Sequence, residues 1–174
     1  MKTLGTRRIY EGNILNLRID TLATPHGPHD YEVVEHAGAV VVLPMPSPDE
    51  IVLVRQWRVP VGAYTWEACA GGIDPGETPA AAALRELREE TGFRAESVRR
   101  LWSAFSAPGF CTELLHFFVA ERWTTGPTDF DAGEEITIRT FALDEVRTLI
   151  ERDELRDAKT QIGVFWALAA RNAR

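Results

Sequence analysis

The stretch Gly71–Phe93, GGIDPGETPAAAALRELREETGF, gathers the residues best suited to chemistry. Successive residues of an α-helix turn by about 100°, so Glu86 and Glu90 share a face and Glu89 lies within one turn of both. Three carboxylates crowded on one surface repel and cannot all stay ionised without compensation. Arg85, four residues before Glu89, offsets part of that charge. A hard divalent cation with oxygen ligands would offset the rest. Ala80, Ala83, Leu84 and Leu87 form an opposite face that can pack on a sheet. Taken alone, the helix is more simply explained as a solvated acidic face carrying ion pairs.

The wider spacing reverses that preference. Gly71, Glu77 and the run Arg85-Glu86-Leu87-x-Glu89-Glu90-x-Gly92-Phe93 fill every defined position of a 23-residue pattern. The pattern resembles the complete Nudix box. The resemblance implies that Glu86, Glu89 and Glu90 bind Mg²⁺ or Mn²⁺, with the backbone carbonyl of Ala70 as a further ligand and Glu77 beside the cluster. Arg85 would hold the glutamates in place and, with Glu89, belong to the catalytic machinery. Gly71 and Gly92 would be structural. A pyrophosphate would be repelled by carboxylates alone, and a cation that neutralises it also acidifies a bound water. Such cleavage is mainly positioning and charge stabilisation.

The box identifies a reaction class; other segments narrow the substrate. SAPGFCTELLHFFVA (106–120), with Pro108 fifteen residues beyond Phe93, resembles the segment that follows the box in ADP-ribose pyrophosphatases. Arg55-Gln56-Trp57-Arg58, YEVVEHAGAVVVL and DAKT (157–160) are similar to further elements of that subfamily. The resemblance implies substrate contacts from Arg58, Pro108, Gly109 and Glu113, and the guanidinium of Arg58 suits bidentate phosphate binding. Tyr31 stands where relatives often carry Arg, and an aromatic there could stack on adenine. Trp57 and Trp66 read as core rather than as base platforms. Relatives place a mobile catalytic glutamate in the loop that here reads Gly133-Glu134-Glu135. Both glutamates are candidates to orient or deprotonate the attacking water, with Glu134 slightly favoured. A homodimer is also implied, in which the N-terminal strands of one subunit cover the site of the other and bring Arg18, Glu32 and Glu35 to the substrate.

These residues need a scaffold, and the chain supplies one. Arg7–Glu11, Leu15–Leu22 and Tyr31–His36 read as strands, with a Gly12–Asn13 turn and a loop over residues 24–30. Gly38–Pro44 and Ile51–Gln56 read as buried strands, and Trp66–Ala70 as a short strand entering GGIDPGE. A helix then runs from a Thr78 cap and Pro79 to Thr91, ended by Gly92. Val98–Phe105, Leu114–Ala120 and Ile136–Phe141 complete the strands, and helices follow over 144–152 and roughly 158–171. The expected architecture is α+β: a Nudix fold with a mixed sheet sandwiched by helices and an N-terminal antiparallel strand region. One domain is expected over 1–174, with dimerisation strands in 1–36 and a catalytic core in 37–174.

Composition bounds the rest. The 174 residues are 45% hydrophobic and 26% charged, a globular balance with a formal charge of −7. That charge argues against a nucleic-acid partner. No apolar run approaches the ~20 residues of a bilayer span, and the N-terminus shows no signal pattern. Cys69 and Cys111 lie near no His pair at zinc spacing and read as buried thiols. A cytoplasmic enzyme acting on a small nucleoside diphosphate compound is expected, with ADP-ribose first and GDP-mannose as an alternative. A sensor that binds ADP-ribose without turnover is the other alternative, but binding alone has no need of so many carboxylates.

Overall fold

The computed structural model describes residues 2–130 and 135–173. The chain divides into two compact units, one of residues 1–39 with 103–115, the other of residues 40–102 with 116–174.

The first unit is built on an antiparallel sheet of β1 (Lys2–Glu11), β2 (Asn16–Thr24) and β3 (Gly27–Glu35), in that spatial order. The loop expected over 24–30 does not form. Thr24 and Gly27 are partners in register, so only Pro25 and His26 turn the chain. The Thr24 hydroxyl donates to the Gly27 carbonyl at 2.7 Å and accepts from the His26 N–H at 3.2 Å. Gly27 has φ +104°, a conformation open to glycine. Pro28 is tolerated because β3 lies at the end of the sheet order, where a missing N–H breaks no ladder. Further along β3, the Val34 N–H donates to the Phe110 carbonyl at 2.8 Å, and the Thr112 N–H donates to the Val34 carbonyl at 2.9 Å.

The remaining elements, wholly or mostly in the second unit, are β4 (Ala39–Pro44), β5 (Glu50–Arg58), β6 (Ala63–Glu67), β7 (Cys69–Gly72), α1 (Pro79–Thr91), β8 (Phe93–Arg94), β9 (Arg99–Phe105), β10 (Leu114–Ala120), β11 (Thr124–Thr125), β12 (Thr137–Ala142), α2 (Leu143–Glu151) and α3 (Ala158–Asn172). One sheet has the order β7-β4-β10-β9 and another β12-β5-β6. Side chains alternate between the faces of a strand, and β4 uses both. Val40 and Val42 join Cys69, Ala82, Ala83, Leu87, Phe118 and Ala120 in one apolar cluster, which seats α1. Leu43 faces α3, so closely that a Cβ added at Gly163 would lie 2.5 Å from its Cδ2. The sheet is therefore covered by helices on both faces, as the α+β reading expects. On α1 the packed face is Ala82, Ala83 and Leu87; Ala80 is exposed, contrary to expectation. The two-residue pairing of β8 with β11 was not foreseen. No helix among the described residues is long and apolar enough to cross a membrane.

Candidate active site

The box forms one loop and one helix, held by local chemistry. The Thr78 hydroxyl accepts from the Ala81 N–H at 3.2 Å, Pro79 opens the helix, and Gly92 closes it at φ 70° with its N–H on the Arg88 carbonyl. These caps fix the span of α1, and the seating of Ala82, Ala83 and Leu87 in the apolar cluster turns Glu86 and Glu90 toward β7.

Each glutamate is placed differently. Glu90 is only 5% exposed, and its carboxylate accepts the Ala70 N–H at 3.1 Å. Burial, with Glu90 alongside, raises the Cys69 thiol well above its ordinary value and keeps it protonated. Glu86 lies against Gly71, where an added Cβ would sit 2.1 Å from its carboxyl carbon. Gly71 is thus required by the space Glu86 occupies. Glu89 lies between two guanidinium groups, Arg85 at 3.1 Å and Arg88 at 2.7 Å.

Arg85 is the hub. Its Nε and Nη2 donate to Glu77 at 3.2 and 3.0 Å, its Nη1 donates to Glu86 at 2.7 Å, and Nη2 also reaches the Gly72 carbonyl at 2.9 Å. The Glu77 bonds, with those to Glu86 and Glu89, raise the Arg85 pKa despite its burial, and Arg85 in turn lowers that of Glu77. Glu77 therefore belongs to the cluster through Arg85. In this arrangement no three His, Cys, Asp or Glu side chains among the described residues form a group that could hold a metal ion. The donor set nevertheless suits a hard cation, since Ala70, Gly71, Glu86, Glu89 and Glu90 line one cavity of about 230 Å³ with oxygen ligands.

The same cavity is lined by Gln56, Arg58, Gly72 and Asp129. Arg58 is not a loose surface cation: its Nε and Nη2 both donate to Glu67 at 2.7 Å. Burial raises the Glu67 carboxyl, but the Arg58 and Lys159 cations outweigh it and hold the group at about 2.

The sequence did not single out Gln56, Glu67 or Asp129. An available signal for Glu67 was a lone carboxylate in an otherwise uncharged run, AYTWEACAGG. Asp129 carried none, because its place is set by its backbone N–H, which donates to the Glu89 carbonyl at 3.0 Å. Of the two loop glutamates, Glu134 lies outside the described residues and Glu135 is exposed.

The remaining expected substrate residues belong to the first unit. Directly opposed residues share a sheet face, and Arg18 faces Val33 while Asp20 faces Tyr31. Arg18, Tyr31 and Glu35 therefore share a face, whereas Glu32, opposite Ile19, points from the other. Arg18 pairs with Asp20 at 3.0 Å and with Glu35, which also takes Arg8. Tyr31 is packed edge-on against His29 with ring centroids 4.9 Å apart. Pro108 and Gly109 form a turn closed by the Phe110 and Cys111 N–H groups on the Ala107 carbonyl, and Glu113 lies 3.6 Å from His36. Trp66 packs on Phe141 as a core residue would, but Trp57 is 50% exposed against Tyr64. Trp57 shares its face of β5 with the buried Ile51 and Leu53 but stands near the end of the strand, where that face is open. Cys111 is half-buried, less enclosed than expected, and both cysteines are free.

Comparison with known proteins fits this geometry. The NUDIX domain family matches residues 35–161. The chain is 32% identical to an ADP-ribose pyrophosphatase of Bacillus subtilis (strain 168) over 166 residues, covering 94% of this chain and 90% of that protein. It is 35% identical to a methanol dehydrogenase activator of Bacillus methanolicus with the same coverage. A GDP-mannose pyrophosphatase of Citrobacter koseri is 34% identical over 146 residues, 76% of this chain and 74% of that one. A crystal structure of an ADP compounds hydrolase superposes with a TM-score of 0.85 over 99% of this chain and 94% of its own, at 24% identity, a likeness of fold.

Proposed function

Because the chain belongs to the Nudix hydrolase family, we propose that it hydrolyses the pyrophosphate bond of ADP-ribose, giving AMP and ribose 5-phosphate. The observation that carries this is the cavity lined together by Glu86, Glu89, Glu90, Arg58 and Ala70–Gly72 of β7. Such a site offers carboxylates for a divalent cation and a guanidinium for the substrate's phosphates. The likeness to an ADP-ribose pyrophosphatase over 94% of the chain supports the choice of substrate.

Glu86, Glu89, Glu90 and the Ala70 carbonyl would hold Mg²⁺ or Mn²⁺, which neutralises the pyrophosphate and acidifies the attacking water when bound. Arg85 orients Glu86 and Glu89 and keeps Glu77 ionised. Arg58 binds a phosphate oxygen and adds to substrate affinity. Glu134 or Glu135 takes the proton of the water. Arg18, Tyr31, Glu35, Pro108, Gly109 and Glu113 contribute to binding the nucleoside and ribose in a cytoplasmic homodimer whose residues 1–36 serve dimerisation. Glu32, on the other face of its sheet, is the weakest member of that set.

The similarity to a GDP-mannose pyrophosphatase over 76% of the chain favours GDP-mannose as the second reading. A panel of ADP-ribose, GDP-mannose, UDP-glucose, NADH and diadenosine polyphosphates, assayed with Mg²⁺ and with Mn²⁺, separates the two. The highest kcat/KM is expected on ADP-ribose. A higher value on GDP-mannose would transfer the reading to that substrate.

A further inference from the structure

The register of the β5–β6 hairpin sets Arg58 opposite Ala63 and Glu67 opposite Val54, so the two residues are not cross-strand neighbours. They meet because Arg58 reaches back along its strand, where its Nε and Nη2 clasp both oxygens of Glu67 at 2.7 Å. The remaining nitrogen, Nη1, has no hydrogen-bond partner among the described residues, and Arg58 lines the cavity with Glu86, Glu89 and Glu90. A long side chain has many rotamers, and the acidic cavity would draw this one toward the glutamates. Glu67 withholds it.

Glu67 is itself anchored. Its side chain is 3% exposed and receives a second cation, the Lys159 ammonium, at 2.5 Å. Lys159 also donates to Asp157 at 2.9 Å, and Asp157 caps α3 by accepting the Thr160 N–H at 3.0 Å. The Thr160 hydroxyl accepts the Ala68 N–H at 2.7 Å. The first turn of α3 therefore grips two successive residues, Glu67 and Ala68, just before β7. A buried ion-pair network contributes little net stability compared with an apolar replacement; its consequence is geometry.

We propose that Glu67, anchored by Lys159 from the first turn of α3, is a positioning residue that presents the free edge of Arg58 to the substrate's phosphates and keeps it off the metal-binding glutamates. This rests on the pyrophosphatase reading for its substrate, but the brace can be read without turnover.

The test uses Arg58→Ala, Glu67→Gln and Lys159→Met singly, and Glu67→Gln combined with Arg58→Ala. The first readout is the Arg58 Nε–H resonance in a ¹H–¹⁵N spectrum. It should exchange slowly in the parent, weaken in Lys159→Met and vanish in Glu67→Gln. The second is the split between KM and kcat for ADP-ribose, or for whichever panel compound is hydrolysed best. Arg58→Ala and Glu67→Gln should each raise KM by roughly tenfold with kcat changed much less, the pattern of lost uniform binding. Lys159→Met, which only loosens the anchor of Glu67, should raise KM by less. On the Arg58→Ala background, Glu67→Gln should add nothing to KM. An additive rise in the double variant, or an unchanged KM once the resonance is lost, overturns the proposal. Should Glu67→Gln not fold, Lys159→Met keeps the Arg58 pair and carries the same comparison, combined with Arg58→Ala in its place. A parent that hydrolyses nothing sinks the pyrophosphatase reading and the proposal with it, while a persistent Arg58 resonance would show that the brace alone remains.

Discussion

Glu90 accepts the backbone N–H of Ala70 at 3.1 Å, so a buried carboxylate on the helix holds the β7 residue whose carbonyl is a candidate ligand. Its nearness to Glu86 and Glu89 makes it part of the proposed cation site, while the Ala70 bond makes it part of the fold. Glu90→Gln keeps an acceptor for Ala70 but lowers the charge. It should melt within a few degrees of the parent by circular dichroism and lose roughly a hundredfold in kcat, the scale of one electrostatic catalytic group. Near-parental kcat would remove Glu90 from the metal assignment.

Arg85 bridges Glu77, Glu86 and Glu89, and its removal leaves those carboxylates to repel one another. Arg85→Ala should therefore be less stable in urea, by about 1–3 kcal/mol for the lost charged hydrogen bonds. Added Mg²⁺ should raise its midpoint more than it raises the parent's, because the cation relieves a larger repulsion. An equal metal shift in both proteins would contradict this role.

Gly71 leaves the space that the Glu86 carboxylate fills, and an added Cβ would lie 2.1 Å from it. Gly71→Ala should displace Glu86 and cut kcat by roughly tenfold or more, with the circular dichroism spectrum unchanged. Full activity in this variant would show that the Glu86 position is not needed.

The Glu67 carboxyl sits at about 2 against an ordinary 4.5, so the native chain binds fewer protons than the unfolded chain between those values. Its contribution to stability is complete above the unfolded value and is lost as pH falls through the folded one. Urea midpoints followed downward from about pH 6 should fall less steeply in Glu67→Gln than in the parent. Parallel curves would mean that Glu67 is not held ionised by Arg58 and Lys159.

Much of this was legible in the residues. The span of α1 follows from Thr78, Pro79 and Gly92, and the strands over 39–44 and 114–120 follow from β-branched and aromatic runs. Local signals failed where tertiary context decides. Pro25, Gly27 and Pro28 read as a loop, yet an edge strand accommodates Pro28 and a two-residue turn uses Gly27. Ala80 and Ala82 are alike in sequence, and only the contact with the sheet selects Ala82. At the site, Glu86, Glu89, Glu90 and Arg85 were readable because their chemistry is contiguous. Asp129 and Glu67 were not, since one is placed by a backbone bond to Glu89 and the other by cations distant in sequence.

The most direct test of the central claim is to incubate the chain and its Glu89→Gln variant with ADP-ribose and Mg²⁺ and to resolve the products by chromatography. The account predicts AMP and ribose 5-phosphate in equal amounts from the parent, and a rate lower by roughly a hundredfold from the variant. Absence of AMP, or equal rates from the two proteins, would contradict it.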